Sequence, residues 1–336
     1  MAPSGFRALV VDRDGERVTL AERTWTLDQL LPGEVTIRVA YSSVNYKDGL
    51  AVRADGRVAR RYPLVPGIDL SGTVLESADP RLGPGQEVVA HGFDLGVSHH
   101  GGLAEIARVP AAWVLPLPKG MTLREAMAIG TAGYTAALCV ERLERGGVRP
   151  AAGPVIVTGA SGGVGSVAVD LLAARGYRVV ASTGKDGARE RLRRLGAEEV
   201  IGREETSAAS TRPLEHARWA AAIDTVGGST FAFLLRTMSY GATIAITGNT
   251  GGIRVETTVL PFILRAVNVL GVESVRTPMP ERAAVWRRLA TDLRPRHLEE
   301  MTTEVPLGEV AAALDSVVRG GLWGRTVVRV GGEPAA

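Results

Sequence analysis

Val155-Ile156-Val157-Thr158-Gly159-Ala160-Ser161-Gly162-Gly163-Val164-Gly165 runs three apolar residues into a turn that carries four glycines. The apolar triplet reads as a buried strand. Beyond the turn, Val167, Leu171 and Ala174 share a face at helical spacing, and Gly176 supplies a stop. In such a strand–turn–helix, glycines permit the tight turn and let a pyrophosphate come close to the backbone. The helix N-terminus offers unpaired N–H groups and the positive end of its dipole to phosphate. The run therefore predicts a dinucleotide cradle.

Outward from this loop, apolar strand-like runs at 155–157, 178–181, 220–223, 242–246 and 268–272 alternate with helical segments. Nearly continuous apolar strands separated by helices predict an α/β fold, a doubly wound parallel sheet covered on both faces. The first 120 residues differ, being rich in Pro and Gly with short β-type runs at 34–39 and 86–90. They predict an irregular β-rich domain. The change falls near Thr122, a candidate N-cap with Glu125 three residues on. After about 276, a charged helix (281–293) and a last strand (325–330) return the chain to its first domain.

The glycine spacing, Gly-x-x-Gly-x-x-Gly, departs from Gly-x-Gly-x-x-Gly and also fits the Thr-Gly-x-x-x-Gly-x-Gly of short-chain dehydrogenases. That family carries the loop near its N-terminus, with a Tyr-x-x-x-Lys pair. Here none of the six tyrosines has Lys four positions on, and the short-chain reading fails. Where an NAD enzyme would place Asp or Glu after the next strand, this chain has Ser182-Thr183-Gly184-Lys185, and Arg203 follows the strand after that. Hydroxyls and cations suit a ribose 2′-phosphate, which a carboxylate would repel, so NADPH is the expected cofactor.

Glycine numbers 41 of 336 residues, about 12% against roughly 7% in ordinary chains, which fits many turns and close backbone approaches. Lys and Arg exceed Asp and Glu by 39 to 36, without the dense basic stretch of a nucleic-acid binder. No run of about 18 apolar residues predicts a membrane span, and the N-terminus lacks a signal-peptide core, so a cytoplasmic protein is expected. The single cysteine, Cys139, lies in apolar helix-like sequence and reads as a buried thiol. His99-His100 has no further ligand at metal spacing, and no metal is expected.

The whole order resembles the medium-chain dehydrogenases/reductases. At the positions matching the catalytic zinc ligands of alcohol dehydrogenases stand Asn45 and Gly67-Ile68-Asp69, which is similar to the zinc-free, quinone-oxidoreductase-like branch. Ser42-Ser43-Val44-Asn45-Tyr46-Lys47-Asp48, Pro66-Gly67-Ile68-Asp69, Gly130-Thr131-Ala132-Gly133-Tyr134-Thr135-Ala136, Ile223-Asp224-Thr225-Val226-Gly227, Pro261-Phe262-Ile263-Leu264-Arg265 and Gly324-Arg325-Thr326-Val327-Val328 together resemble the acrylyl-CoA reductase group. The likeness runs from about residue 40 to 330.

The resemblance implies a Rossmann-type domain at 125–275 inserted in a GroES-like catalytic domain, 1–124 plus 276–336. It implies NADPH-dependent reduction of acryloyl-CoA to propanoyl-CoA without zinc. Competing expectations are a quinone or enone reductase of the same fold and a non-catalytic NADPH-binding sensor. Asn45 and Tyr46 are expected beside the nicotinamide, Tyr46 lining the cleft and Asn45 polarising the carbonyl or ordering water. Asp48 and Asp69 are either a proton relay or structural carboxylates. Cofactor contacts are expected from Tyr46, Thr131, Ser161, Gly162, Gly163, Val164, Gly165, Ser182, Thr183, Gly184, Lys185, Arg203, Asn249, Ser274 and Arg325. Arg53, Arg57, Arg60 and Arg61 either meet CoA phosphates or form a solvated face. Family analogy implies a homodimer.

Overall fold

A computed structural model describes residues 5–331. It divides into two compact units: 5–131 with 275–290 and 298–331, and 132–274 with 291–297.

The first unit opens with an antiparallel hairpin, β1 (Phe6–Asp14) and β2 (Arg17–Trp25). Then come β3 (Val35–Ser43), the short helix α1 (Tyr46–Ala51), β4 (Asp69–Ser77), β5 (Glu87–His91), β6 (Ile106–Val109) and β7 (Val114–Pro116). β3 is the spine: it pairs antiparallel with β4 and β6, and β4 passes the ladder through β5 to β7. Its inward Val35, Ile37 and Val39 are fully buried in a cluster with Val10, Leu70 and Val109.

Helix α2 (Leu123–Arg145) is N-capped reciprocally, Glu125 N donating to Thr122 Oγ1 and Thr122 N donating to the Glu125 carboxylate. It is broken at Gly130, whose φ of 51° and ψ of −162° are not helical. What reads in sequence as one helix-prone run is thus two segments. Position 130 tolerates only Gly, because a Cβ there would lie 2.5 Å from Arg325 Nη2 and 2.8 Å from Asp69 Oδ2.

The second unit places β8 (Val155–Val157), α3 (Gly163–Ala174), β9 (Val179–Thr183), α4 (Arg189–Arg194), β10 (Glu199–Gly202), α5 (Arg203–Thr206), β11 (Trp219–Asp224), α6 (Gly228–Thr237), β12 (Met238–Ile246), α7 (Leu260–Arg265) and β13 (Asn268–Gly271). All its strand pairs are parallel, in the order β10-β9-β8-β11-β12-β13. This is the doubly wound arrangement, and its order reverses between β8 and β11. Residues 165–172 of α3 are all buried, so the helix is not amphipathic as its spacing suggests; small Ser166 and Ala168 let it pack on every side. Gly176, at φ +78°, follows its end.

The chain then returns through α8 (Met279–Leu289), β14 (Thr302–Pro306), α9 (Val310–Val318) and β15 (Arg325–Arg329). The charged helix begins after Pro278 and stops at Leu289, short of the expected 293. β15 joins the first sheet by pairing antiparallel with β3.

Candidate functional site

At the switch point, β8 and β11 are tied together at their C-terminal ends. Thr158 Oγ1 donates to Asp224 Oδ1 at 2.5 Å, and Thr225 Oγ1 donates to Thr158 O at 2.9 Å. The Asp224 carboxylate also accepts from Val226 N and Gly227 N, both at 3.0 Å. Burial holds the Asp224 carboxyl above its ordinary range, against the pull of these hydrogen bonds.

The glycine loop fills the space between. Gly159 adopts φ +59°, and a Cβ on Gly165 would lie 2.4 Å from Gly159 O and 2.6 Å from Ala160 Cα. Gly162 is the N-cap of α3 and brings no capping side chain, so nothing of its own covers the first N–H groups of the 12-residue helix. The cradle fits a pyrophosphate: bare backbone, a dipole end and no acidic side chain in the turn.

Next to it, Thr183 Oγ1 donates to Ser161 Oγ at 2.9 Å and accepts from Lys185 N at 3.2 Å, fixing the end of β9. Ser182 is turned to Thr206, Oγ to Oγ1 at 2.8 Å, and is buried in that packing. Lys185 stands beside Arg203: burial first, then the Arg203 charge, lowers the Lys185 pKa. Gly184 lies beneath the same guanidinium, a Cβ there meeting Arg203 Nε at 3.0 Å. Two cations with exposed or half-buried heads thus crowd the end of β9. Asn249 is exposed in the loop after β12, and half-buried Ser274 ends the unit's main segment.

The first unit gathers a separate buried cluster. Asn45 caps α1, its N–H donating to Asp48 Oδ2 at 2.8 Å. The Asn45 side-chain amide donates to Asp48 Oδ2 at 3.1 Å and to Asp69 Oδ2 at 3.0 Å, and its Oδ1 accepts from Arg325 Nη1 at 3.4 Å. Asp69 also accepts from Ser43 N, Ser43 Oγ and the N–H of Thr131, the last at 2.9 Å. Arg325 donates from Nε to Ala128 O at 2.8 Å and from Nη2 to Ser43 Oγ at 2.7 Å. The break in α2 is therefore closed from both sides: a carboxylate on the N–H that starts its second part, a guanidinium on a carbonyl that ends its first.

Burial, and then the neighbouring Asp69 charge, pushes the Asp48 carboxyl up to about 7. Burial lowers the Arg325 pKa, opposed by both aspartates. Asp48, Asp69 and Arg325 are essentially without exposed surface, whereas Tyr46 is 37% exposed. Arg325, expected at the cofactor site, is buried inside this cluster, and the amide of Asn45 is committed to two carboxylates. Ser43, Thr158 and Asp224 are the positions that sequence reasoning did not single out as site residues, whereas the helix start at Gly130–Thr135 was expected near the nicotinamide or its ribose. All three lie inside motifs noted above, but their partners are remote in sequence.

Among the described residues no group of three or more His, Cys, Asp or Glu converges as a metal site would need. His99 and His100 hold backbone groups of Pro32 and Val65, and burial with nearby charges lowers the His100 pKa to about 4. Burial pushes the Cys139 thiol up to about 12.

Residues 31–119 match the alcohol dehydrogenase GroES-like domain and residues 163–291 the zinc-binding dehydrogenase family. YhfP of Bacillus subtilis, which carries a quinone oxidoreductase name, is 48% identical over 97% of this chain and 99% of its own. Its structure, with NAD bound, superposes with a TM-score of 0.95 over 98% of this chain and 100% of that one. The acrylyl-CoA reductase AcuI of Ruegeria pomeroyi is 46% identical over 97% of this chain and 99% of its own. The Escherichia coli K-12 protein YhdH, solved with bound NADPH, is 45% identical with a TM-score of 0.94, covering 96% and 100%. With both domain models matched in this order and relatives alike from end to end, the chain belongs to the medium-chain dehydrogenase/reductase superfamily.

Proposed function

We propose that this protein reduces the C=C bond of acryloyl-CoA to give propanoyl-CoA, using NADPH and no zinc. The observation that carries the reading is the near-full-length likeness to the Ruegeria acrylyl-CoA reductase. The hydroxyl-and-cation end of β9 supports the choice of NADPH over NADH. On this reading 1–124 with 276–336 handle substrate and 125–275 handle cofactor.

When bound, NADPH supplies the hydride that adds to the β-carbon of the enoyl thioester. The N–H groups of the 162–165 turn hold the pyrophosphate, and Lys185 with Arg203 hold the 2′-phosphate. Tyr46, whose side chain is exposed, touches the substrate and donates to the thioester oxygen as charge builds there. Asn45 keeps α1 and hence Tyr46 in place, with its own amide held by Asp48 and Asp69. Proton delivery to Cα then falls to water or to Tyr46.

The likeness to YhfP favours a second reading, reduction of quinones on the same fold. NADPH oxidation by the purified protein with acryloyl-CoA, beside benzoquinone and NADH controls, separates the two. Turnover with acryloyl-CoA and NADPH is expected. Turnover with benzoquinone alone would remove the CoA reading and keep the cofactor.

A homodimer is part of the proposal. Among the described residues β13 is an edge strand paired with β12, and Val269 on it is exposed, as are Val259, Ile263 and Leu264 in and just before α7. A free edge flanked by apolar side chains suits pairing with a second copy. A cytoplasmic location accompanies work that draws on NADPH.

A further inference from the structure

Between α1 and β4 the chain carries Arg53, Arg57, Arg60 and Arg61 against one acid, Asp55. The structure separates these four. Arg53 is occupied, its Nε and Nη2 meeting the two Asp55 oxygens at 3.0 and 3.1 Å. Arg57, Arg60 and Arg61 are exposed, and among the described residues their guanidinium groups make no hydrogen bond or ion pair. Other exposed arginines do find acids, as Arg23 with Asp12, Arg81 with Asp79 and Arg319 with Asp315, and others such as Arg17 and Arg254 stand alone among the described residues; what marks this loop is three such arginines within five residues.

The loop is nonetheless anchored. A Cβ on Gly56 would lie 1.9 Å from Leu50 O, so the turn sits hard against the end of α1. Arg57 holds a left-handed φ of 53°. Arg60 N donates to Val97 O at 2.9 Å, Leu64 and Val11 exchange both backbone hydrogen bonds, and the Arg13 guanidinium lies 6.0 Å over the Tyr62 ring. Three positive charges thus lie within five residues of an anchored backbone, an arrangement that favours an anion.

We propose that Arg57, Arg60 and Arg61 form the seat for the nucleotide end of the CoA substrate, taking its diphosphate and 3′-phosphate. This rests on the acyl-CoA reading above. The pantetheine arm is uncharged, so every negative charge of CoA lies at the end these planar forks can grip. The loop runs on directly from the helix that begins with Tyr46.

The test compares acryloyl-CoA with acryloyl-pantetheine, which keeps the thioester and lacks the nucleotide, at saturating NADPH. In R57E/R60E/R61E we expect KM for acryloyl-CoA to rise at least tenfold, with kcat and the pantetheine kinetics unmoved. The milder R60Q/R61Q should show a smaller rise in the same direction. Equal KM for the two substrates in the wild type, or a variant that raises both or neither, overturns the seat and leaves the reductase standing. Should neither thioester turn over, the reductase reading fails, and adenosine 3′,5′-bisphosphate titrated calorimetrically into NADP-saturated protein decides the loop. Binding lost in the triple variant supports it; equal binding in both proteins, or none, overturns it.

Discussion

Lys185 and Arg203 stand together at the end of β9, where burial and then the Arg203 charge disfavour the Lys185 cation. A 2′-phosphate between them would replace that repulsion by charge-assisted hydrogen bonds, each worth about 1.5–3 kcal/mol. Lys185→Ala or Arg203→Ala should therefore raise KM for NADPH about tenfold or more and leave KM for NADH unchanged, read from initial rates with each cofactor. Asp48 sets a pH dependence of another kind. Its carboxyl titrates near 7 in the fold against about 4 in the unfolded chain, so the native state holds the extra proton in between. That contribution to stability is whole below about pH 4 and is lost as pH rises through about 7. Urea midpoints measured from pH 5 to 8 should fall less steeply with pH in Asp48→Asn than in the wild type. The variant should also be less stable throughout, because an amide NH2 would face the N–H donors of Asn45 or Ile68.

Among the elements, the broken helix is the most demanding. Left-handed backbone on a residue other than glycine costs about 1–3 kcal/mol, and at Gly130 a side chain would also strike Arg325, Asp69 and Ser43. Gly130→Ala should lower stability by at least that amount in chemical denaturation and dislodge the cap on Thr131. The glycine turn before α3 shows the contrasting case of an element readable from its own residues. Strand, turn glycines and helix all lie within 20 residues, so local spacing carries the geometry. The buried cluster is the opposite. Asp69 and Thr131 are 62 positions apart, and Arg325 and Ser43 are 282 apart. Motif spacing brings each of these residues to notice without revealing that they meet. Pairing of β15 with β3 is what brings Arg325 to Ser43, and neither motif shows that by itself.

For the molecule as a whole, the proposed homodimer would form on the edge strand β13 and the exposed α7. Burying a side chain the size of Ile contributes about 1.5–3 kcal/mol, so the patch around Ile263 can hold two copies together where a polar surface could not. Ile263→Glu should shift sedimentation-equilibrium mass from dimer to monomer at micromolar concentration while the secondary-structure content stays the same. The sequence by itself determined the α/β class, the glycine turn before α3 and the presence of two cations after β9 and β10. Each of these depends on side-chain periodicity, turn conformation or charge within one short segment. The tertiary structure alone decided which aspartates share a site, which arginine is buried and which arginines are left unpaired. Those outcomes depend on chain segments hundreds of residues apart, joined by strand pairing and made consequential by the low dielectric of a closed core.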